Sequence, residues 1–191
     1  MESKLVTMTK KAILEEILQF DNIEDVKNKK QIIFKIVPEL KDEEEFDQKN
    51  PWHIYDVWEH TLVALRKSKP DLEIRLAVLL HDIGKPHCYQ DDGNIRHFKG
   101  HSEKSAQIAK EILERLGYKE NQVKDICFLI ENHSKTINIE EVNKDNLQIM
   151  KKLLHIQYCD AYAYNPEYTN QVTQKLDKIY RKLKSIEDRE R

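Results

Sequence analysis

Histidine and aspartate side chains recur in this sequence on or beside segments whose apolar residues indicate burial. The adjacent pair His81 and Asp82, for example, directly follows the apolar run at residues 76–80. Burying imidazoles and carboxylates without partners costs several kcal/mol for each group, whereas a divalent cation neutralises carboxylate charge and accepts imidazole nitrogen. A single shared ion could satisfy four of the six residues in such positions. These six are His60, His81, Asp82, His101, His133 and Asp160.

Each of these residues also has a less specific interpretation. A lone histidine on an apolar helix face is more often a hydrogen-bonded core residue than a ligand, and an isolated Asp160 would more often be a helix cap or an ion-pair partner. The adjacency of His81 and Asp82 weakens that interpretation, because both side chains can project from one helix end. His97 lies close to His101 in the chain and is therefore a candidate for substrate contact. The histidines expected in loops or on the surface are His53, His87 and His155.

The elements that carry these residues are predicted to be helices. The chain has 191 residues with only four glycines and five prolines, a composition that disfavours a turn-rich β architecture. Val57, His60 and Ala64 share one helix face, because residues three and four apart align on a helix. Residues 76–80 are apolar all round, as expected of a central helix enclosed by others. The fold class is therefore predicted to be all-α.

The sequence also predicts how the chain is organised. Gly84, Pro86 and the polar run 89–100 predict a loop after the central helix, and the acidic stretch 41–50 predicts another. We expect an N-terminal helical extension at 1–36, a main domain at 37–164 and a C-terminal helix at 165–191 that packs on the domain. Pairing of subunits through the terminal helices is the alternative, and the oligomeric state is left open.

Composition excludes several classes of function. The formal net charge of −2 provides no general attraction to nucleic acid or anionic lipid. No apolar run exceeds five residues, far below the roughly 20 that span a bilayer. Three cysteines without a CxxC pair argue against a disulfide framework and against a thiolate zinc site. We therefore expect a cytoplasmic protein without membrane association or bulk nucleic-acid binding.

The spacing of His60, the His81–Asp82 pair and Asp160 resembles the HD superfamily of metal-dependent phosphohydrolases, and segment 79–86 (LLHDIGKP) is similar to its signature helix and turn. More narrowly, segment 46–61 is similar to the HD domain attached to many bacterial tRNA nucleotidyltransferases, as are 98–102 and 131–133. The resemblance covers residues 37–164. No nucleotidyltransferase head is expected in the first 36 residues, so CCA addition is not expected of this chain alone.

The resemblance implies a compact multi-helix bundle with a metal site between helices. It implies His60, His81, Asp82 and Asp160 as ligands of a first metal ion. In members with two ions, positions matching His101 and His133 hold the second one, with Asp82 bridging. Imidazole and carboxylate ligands without thiolate suit Mn, Fe, Co, Ni or Zn.

The function expected from this resemblance is hydrolysis of a phosphate ester. One or two divalent ions would activate water and polarise the phosphoryl oxygens, and Lys85 would neutralise the charge that develops on the phosphate. Asp82 and Lys85 are thus the catalytic candidates, and Lys85 and His97 the substrate-binding candidates. The expected substrate is a phosphomonoester or phosphodiester of a small nucleotide or an RNA end, including 2′,3′-cyclic phosphates. The alternative is a non-catalytic HD module that binds RNA or a protein.

Overall fold

A computed structural model describes residues 8–190, apart from the side chain of Glu190. Residues 1–7 of the predicted N-terminal extension, and Arg191, lie outside the described part. Ten α-helices account for most of the described chain, which confirms the all-α class. The helices are α1 Lys10–Ile17, α2 Ile23–Asn28, α3 Lys30–Ile36, α4 Val57–Arg66, α5 Leu72–Leu80, α6 Lys85–Cys88, α7 His101–Arg115, α8 Glu120–Asn132, α9 Leu147–Ala161 and α10 Pro166–Glu190.

Helix α5 lies at the centre of the fold. Asp71 caps its first turn, because the carboxylate accepts hydrogen bonds from the backbone N–H groups of Glu73 at 3.0 Å and Ile74 at 3.1 Å. Residues 76–80 are all buried, as their apolar sequence predicts, and so are Ile74 and the charged Arg75. The helix packs against α4, α8 and α9. Its C-terminal end, where His81 and Asp82 follow, is therefore enclosed by the other helices that carry candidate ligands.

The two chain ends pack onto this bundle within the described residues. Leu14 of α1 and Phe34 of α3 are buried in the same apolar cluster as the central helix. Helix α10 lies along α9 and buries Leu176 and Leu183. The domain boundaries at residues 37 and 164 remain predictions, because one continuous core includes residues from all three predicted parts.

The two predicted loops contain more structure than the sequence indicated. Residues 89–100 include a short antiparallel hairpin, with β1 at Gln90–Asp91 and β2 at Arg96–His97. The acidic stretch begins inside a 3₁₀ turn at Pro38–Glu43, and a second such turn lies at Ile139–Glu141. No helix in the described range 8–190 is long and apolar enough to cross a bilayer.

Candidate metal centre

The six candidate ligands converge from five parts of the fold. His60 lies on α4 and Asp160 on α9, while His101 is the first residue of α7. His81 and His133 occupy the C-terminal caps of α5 and α8, and Asp82 follows His81 directly. These positions form two ligand groups. The first group is His60, His81, Asp82 and Asp160, and the second is Asp82, His101 and His133.

The first group is tightly spaced and buried. Its four potential ligand atoms lie within 4.8 Å of one another. Nε2 of His60 is 2.9 Å from Oδ1 of Asp160, and Nε2 of His81 is 3.7 Å from the same oxygen. Oδ2 of Asp82 lies 3.5 Å from His60 Nε2 and 3.2 Å from His81 Nε2. Two imidazoles and two carboxylates therefore face one point.

The second group uses the other oxygen of the same aspartate. Oδ1 of Asp82 lies 3.5 Å from Nε2 of His101 and 3.7 Å from Nε2 of His133. The two histidine Nε2 atoms are 3.3 Å apart. Asp82 thus presents one oxygen to each group, an arrangement suited to a carboxylate that bridges two cations.

Backbone carbonyls fix the orientation of three of the imidazoles. Nδ1 of each of these histidines faces the backbone carbonyl oxygen three residues earlier in the chain. The distance is 2.7 Å for His81, 2.8 Å for His101 and 2.7 Å for His133. A carbonyl can only accept, so each Nδ1 carries the proton and donates it. In the neutral ring this leaves the Nε2 lone pair directed into the cluster, as in histidines that bind metal ions.

The charges of the cluster compensate one another without an ion. Burial alone would raise the pKa of Asp82, but the positive charges of His81 and Lys85 outweigh it and hold that pKa well below its usual range. Burial alone would lower the pKa of His81, but Asp82 and Asp160 raise it to about 10. A cation that binds Nε2 of His81 would take the place of its proton and neutralise the same carboxylates.

The donor set of this chain fits a divalent cation. Among the described residues, Nδ1 of His60, Nε2 of His81 and both oxygens of Asp82 are buried without a hydrogen-bond partner of good geometry. Lys85 is close to Asp82, but its approach does not satisfy hydrogen-bond geometry. Buried polar atoms without a hydrogen-bond partner destabilise the fold, and one cation would bind both the Asp82 carboxylate and Nε2 of His81. The cluster could therefore hold a divalent metal ion, with nitrogen and oxygen ligands.

Lys85, a predicted catalytic residue, lies within the cluster rather than in solvent. It is 4% exposed, and its Nζ is 2.7 Å from Oδ2 of Asp82. Nζ also donates to Oε1 of Gln48 at 2.8 Å, and the Gln48 amide donates to the carbonyl of Tyr55 at 3.1 Å. Gln48 therefore fixes the position of the ammonium group. The sequence does not predict this contact, because no local pattern pairs Gln48 with Lys85.

A cavity of about 180 Å³ opens onto the cluster. His53, expected in a loop or on the surface, lies in a loop with its side chain partly buried, and it lines this cavity. Burial and the positive charge of Lys85 lower the pKa of His53 to about 2, so the ring is neutral at physiological pH. Tyr164 also lines the cavity, and its hydroxyl donates to Oδ2 of Asp160 at 2.7 Å. The full lining comprises His53, Asp82, Lys85, Phe98, His101, His133, Ser134, Asp160 and Tyr164.

Glu43 is a second buried polar residue near the cluster that no sequence pattern predicts. Its side chain is fully buried at the end of the first 3₁₀ turn, and neither carboxyl oxygen has a hydrogen-bond partner among the described residues. Burial, with a smaller contribution from Asp82, raises the pKa of Glu43 well above its usual value. The sequence predicts an acidic loop at this position, where a solvated carboxylate would be ordinary.

His97 is the one predicted site residue that the structure does not bring to the cluster. It lies on β2 with an exposed side chain, and its Nε2 is 3.4 Å from Oδ2 of Asp92 on the same hairpin. Its role in substrate contact stays a prediction. The other two histidines expected to be peripheral also lie outside the cavity lining: His87 is exposed, and His155 accepts a hydrogen bond from the backbone of Lys69.

Comparison with known proteins finds similarity to tRNA nucleotidyltransferases. Two curated relatives are similar to part of the chain. The A-adding tRNA nucleotidyltransferase of Deinococcus radiodurans is 36% identical over 104 residues, which cover 51% of this chain and 24% of that protein. The CC-adding tRNA nucleotidyltransferase of Thermus thermophilus is 35% identical over 88 residues, which cover 42% of this chain and 20% of that protein. The chain thus spans only about a quarter or less of these relatives' length.

The family comparison covers more of the chain. The sequence model of the HD domain family matches residues 53–176, well over half of the 191 residues. The matched region contains all six candidate ligands and Lys85. The two ligand groups that share Asp82, and the family match that includes them, show that this chain belongs to the HD domain family.

Proposed function

We propose that this chain is a metal-dependent phosphohydrolase that cleaves a phosphomonoester or phosphodiester of a nucleotide or an RNA end, 2′,3′-cyclic phosphates included. One observation carries the proposal. The buried carboxylate of Asp82 is shared between two ligand groups at the wall of a cavity that also contains the Lys85 ammonium. Cations and a fixed ammonium group around one small cavity are complementary to a phosphate.

Two sets of residues would hold the ions in this proposal. His60, His81, Asp82 and Asp160 would bind the first, and His101 and His133 would bind the second together with Asp82. Imidazole and carboxylate donors favour Mn, Fe, Co, Ni or Zn. When bound, such ions supply an activated water and polarise the phosphoryl oxygens.

The protein's own groups have defined tasks around the phosphate. Lys85, held by Gln48, places a positive charge beside the phosphoryl oxygens and compensates charge as the ester bond breaks. Tyr164 donates to Asp160 and keeps that carboxylate oriented. His53 contributes a neutral imidazole to the wall, which can hydrogen-bond to substrate without adding charge. His97 would contact only a substrate that extends beyond the cavity to the hairpin.

The size of the cavity limits what can be enclosed. A volume of about 180 Å³ is below the roughly 300–1,000 Å³ of pockets for drug-sized ligands. It suits a phosphate with part of its sugar, and the rest of a nucleotide or RNA end would remain outside. By their names, both curated relatives act on tRNA, which supports an RNA end among the candidate substrates. The net charge of −2 and the three free cysteines support a cytoplasmic protein without bulk nucleic-acid or membrane binding.

The test is hydrolysis by the purified full chain. We would assay adenosine 2′,3′-cyclic phosphate, 3′-AMP, 5′-AMP and a short RNA with a terminal phosphate, each with Mn²⁺, Co²⁺, Ni²⁺ or Zn²⁺. Activity that is abolished by His81→Ala and Asp82→Ala would support the proposal. The matched control is His87→Ala, because His87 is exposed and outside the cavity. Metal-loaded protein that is inert toward every substrate would contradict the proposal.

The same protein samples distinguish the proposed phosphohydrolase from the alternative, a non-catalytic HD module that binds RNA. An HD module that only recognises RNA would bind tRNA-like RNA with similar affinity before and after chelation, and would bind it equally in the Asp82→Ala variant. The presence of both ligand groups favours hydrolysis over this alternative. Fluorescence titration of labelled RNA, with and without chelator, measures the difference.

A further inference from the structure

An aromatic ring lies exposed at the edge of the cavity. Trp52 is 39% exposed, whereas the other tryptophan, Trp58, is 2% exposed and packs edge-on against Phe34. Trp52 precedes His53, which lines the cavity. Its ring also packs edge-on against the ring of Tyr164, another lining residue, with 6.3 Å between the centroids. Trp52 is therefore one ring away from the ligand cluster.

The position of this ring is fixed from two sides. The backbone carbonyl of Trp52 accepts a hydrogen bond from the backbone N–H of Asn165 at 2.8 Å, and the Asn165 amide donates to the carbonyl of Pro51 at 3.1 Å. The ring packs on Tyr168 with 4.2 Å between centroids and 32° between planes. The segment before α4 is thus attached to the start of α10, and Trp52 needs little further ordering to bind a ligand.

The aromatic rings on the hairpin side of the cavity are less suited to stacking with a ligand. Tyr89 is 44% exposed, but the guanidinium of Arg96 lies 4.9 Å from the centres of both the Tyr89 and Phe46 rings. Phe98 lines the cavity with the Lys85 ammonium 5.4 Å from its ring centre. These rings are engaged with cations of the protein itself, so Trp52 is the better candidate for a flat, uncharged ligand group.

We propose that Trp52, supported by Tyr168, is a subsite that stacks with the nucleobase of a nucleotide whose phosphate lies at the metal centre. The proposal rests on the proposed function for the placement of the phosphate. A phosphate held beside Asp160 and Tyr164 leaves its nucleoside outside the small cavity, where an exposed indole is available. Stacking on an aromatic face accepts any base, so the subsite would favour nucleotides over phosphate esters without a base, with little preference among bases.

Ligand binding can be measured without turnover. We would titrate the zinc-loaded full chain with the non-hydrolysable methylenephosphonate analogues of 5′-AMP and of ribose 5-phosphate, named by their parent compounds in the binding experiments, and follow tryptophan fluorescence and heat. Trp58 is buried, so quenching by a base reports on Trp52. We expect quenching by 5′-AMP, no quenching by ribose 5-phosphate and tighter binding of 5′-AMP. Absence of quenching by 5′-AMP at saturation, or equal affinity for both ligands, would overturn the proposal.

Substitution tests the residue directly. Trp52→Leu retains apolar contact with Tyr168 but removes the aromatic face, and Trp52→Phe keeps a smaller one. We expect Trp52→Leu to reduce the affinity for 5′-AMP by about tenfold to a hundredfold, about 1.4–2.8 kcal/mol, and to leave the affinity for ribose 5-phosphate unchanged. Trp52→Phe should reduce the affinity for 5′-AMP less than Trp52→Leu does. The matched control is Tyr180→Ala, an exposed aromatic on α10 outside the cavity lining, which should change neither affinity.

The outcomes separate this subsite from the proposed function. Base-dependent binding that is lost in Trp52→Leu, in a protein without hydrolytic activity, would support the subsite and contradict the phosphohydrolase. Hydrolysis of 5′-AMP with the same KM in wild type and Trp52→Leu would contradict the subsite alone. If Trp52→Leu reduced the affinities for 5′-AMP and ribose 5-phosphate equally, at unchanged zinc content, the proposed subsite would also be overturned.

Discussion

Replacement of Lys85 is predicted to destabilise the metal-free chain much more than the metal-loaded chain. The ammonium lies 2.7 Å from Asp82 and is buried. Without a metal ion, the Lys85 ammonium and His81 together balance the negative charge of Asp82. Lys85→Met retains most of the aliphatic stem and removes both the charge and the hydrogen bond to Gln48, and comparison of metal-free with metal-loaded protein separates the two contributions.

The expected magnitude follows from the distances. At 2.7 Å and an effective dielectric constant of about 20, the attraction between the two charges is about 6 kcal/mol. His81 remains 3.2 Å from the same oxygen and retains part of the compensation. We therefore expect a loss of about 3–5 kcal/mol in unfolding free energy, as for buried ion pairs that lose one partner. With a cation on Asp82 the loss should fall to about 1 kcal/mol, from the missing hydrogen bond to Gln48.

The assay is urea unfolding followed by circular dichroism, with chelator and with excess Zn²⁺. Lys110→Met is the matched control, because Lys110 is an exposed lysine on α7 that should change stability by no more than about 0.5 kcal/mol in either condition. Equal losses for Lys85→Met with and without zinc would refute the reasoning, because the ion and the ammonium would then not compensate the same carboxylate.

Three further predictions concern residues that support the cluster, and all are measured by urea unfolding in chelator. Gly84→Ala should cost about 1–3 kcal/mol, because the added Cβ would lie 2.6 Å from backbone atoms of His101 and Ser105; unchanged stability would contradict this close packing. Glu43→Gln should gain stability relative to wild type as the pH rises above 4.5, the ordinary pKa of a glutamate. The raised pKa of Glu43 means that the unfolded carboxyl loses its proton first, so wild-type stability falls as the pH rises above this value, and parallel profiles would argue against it. Asp71→Ala should cost about 1 kcal/mol through loss of the α5 cap, and a change near zero would show that the cap contributes nothing.

The sequence predicts the helices through local rules, and the family resemblance predicts that the six ligands converge. Three- and four-residue spacing places His60 and Asp160 on buried faces, and the apolar run before His81 requires a central helix whose end is enclosed. The all-helical class and the family are confirmed. The roles of the six ligands remain predictions, although the structure brings their ligand atoms together in two groups.

The rest of the site depends on contacts between distant segments. Gln48 contacts Lys85, which is 37 positions later in the chain, and Trp52 packs directly on Tyr168 of α10. Glu43 lies in a stretch whose composition indicates a solvated loop, yet tertiary packing buries it completely. Such pairings have no period or motif in the sequence, because they are fixed by how helices and loops meet in the fold.

Metal content is the most direct measurement of the central claim that two ligand groups share Asp82. The full chain, purified without chelator and equilibrated with Mn²⁺ or Zn²⁺, would be analysed by inductively coupled plasma mass spectrometry beside three variants. We predict two ions per chain for wild type, one for His133→Ala and one for Asp160→Ala, with almost none for Asp82→Ala. A wild-type chain that retains no ion, or an Asp82→Ala variant that retains the wild-type content, would contradict the account.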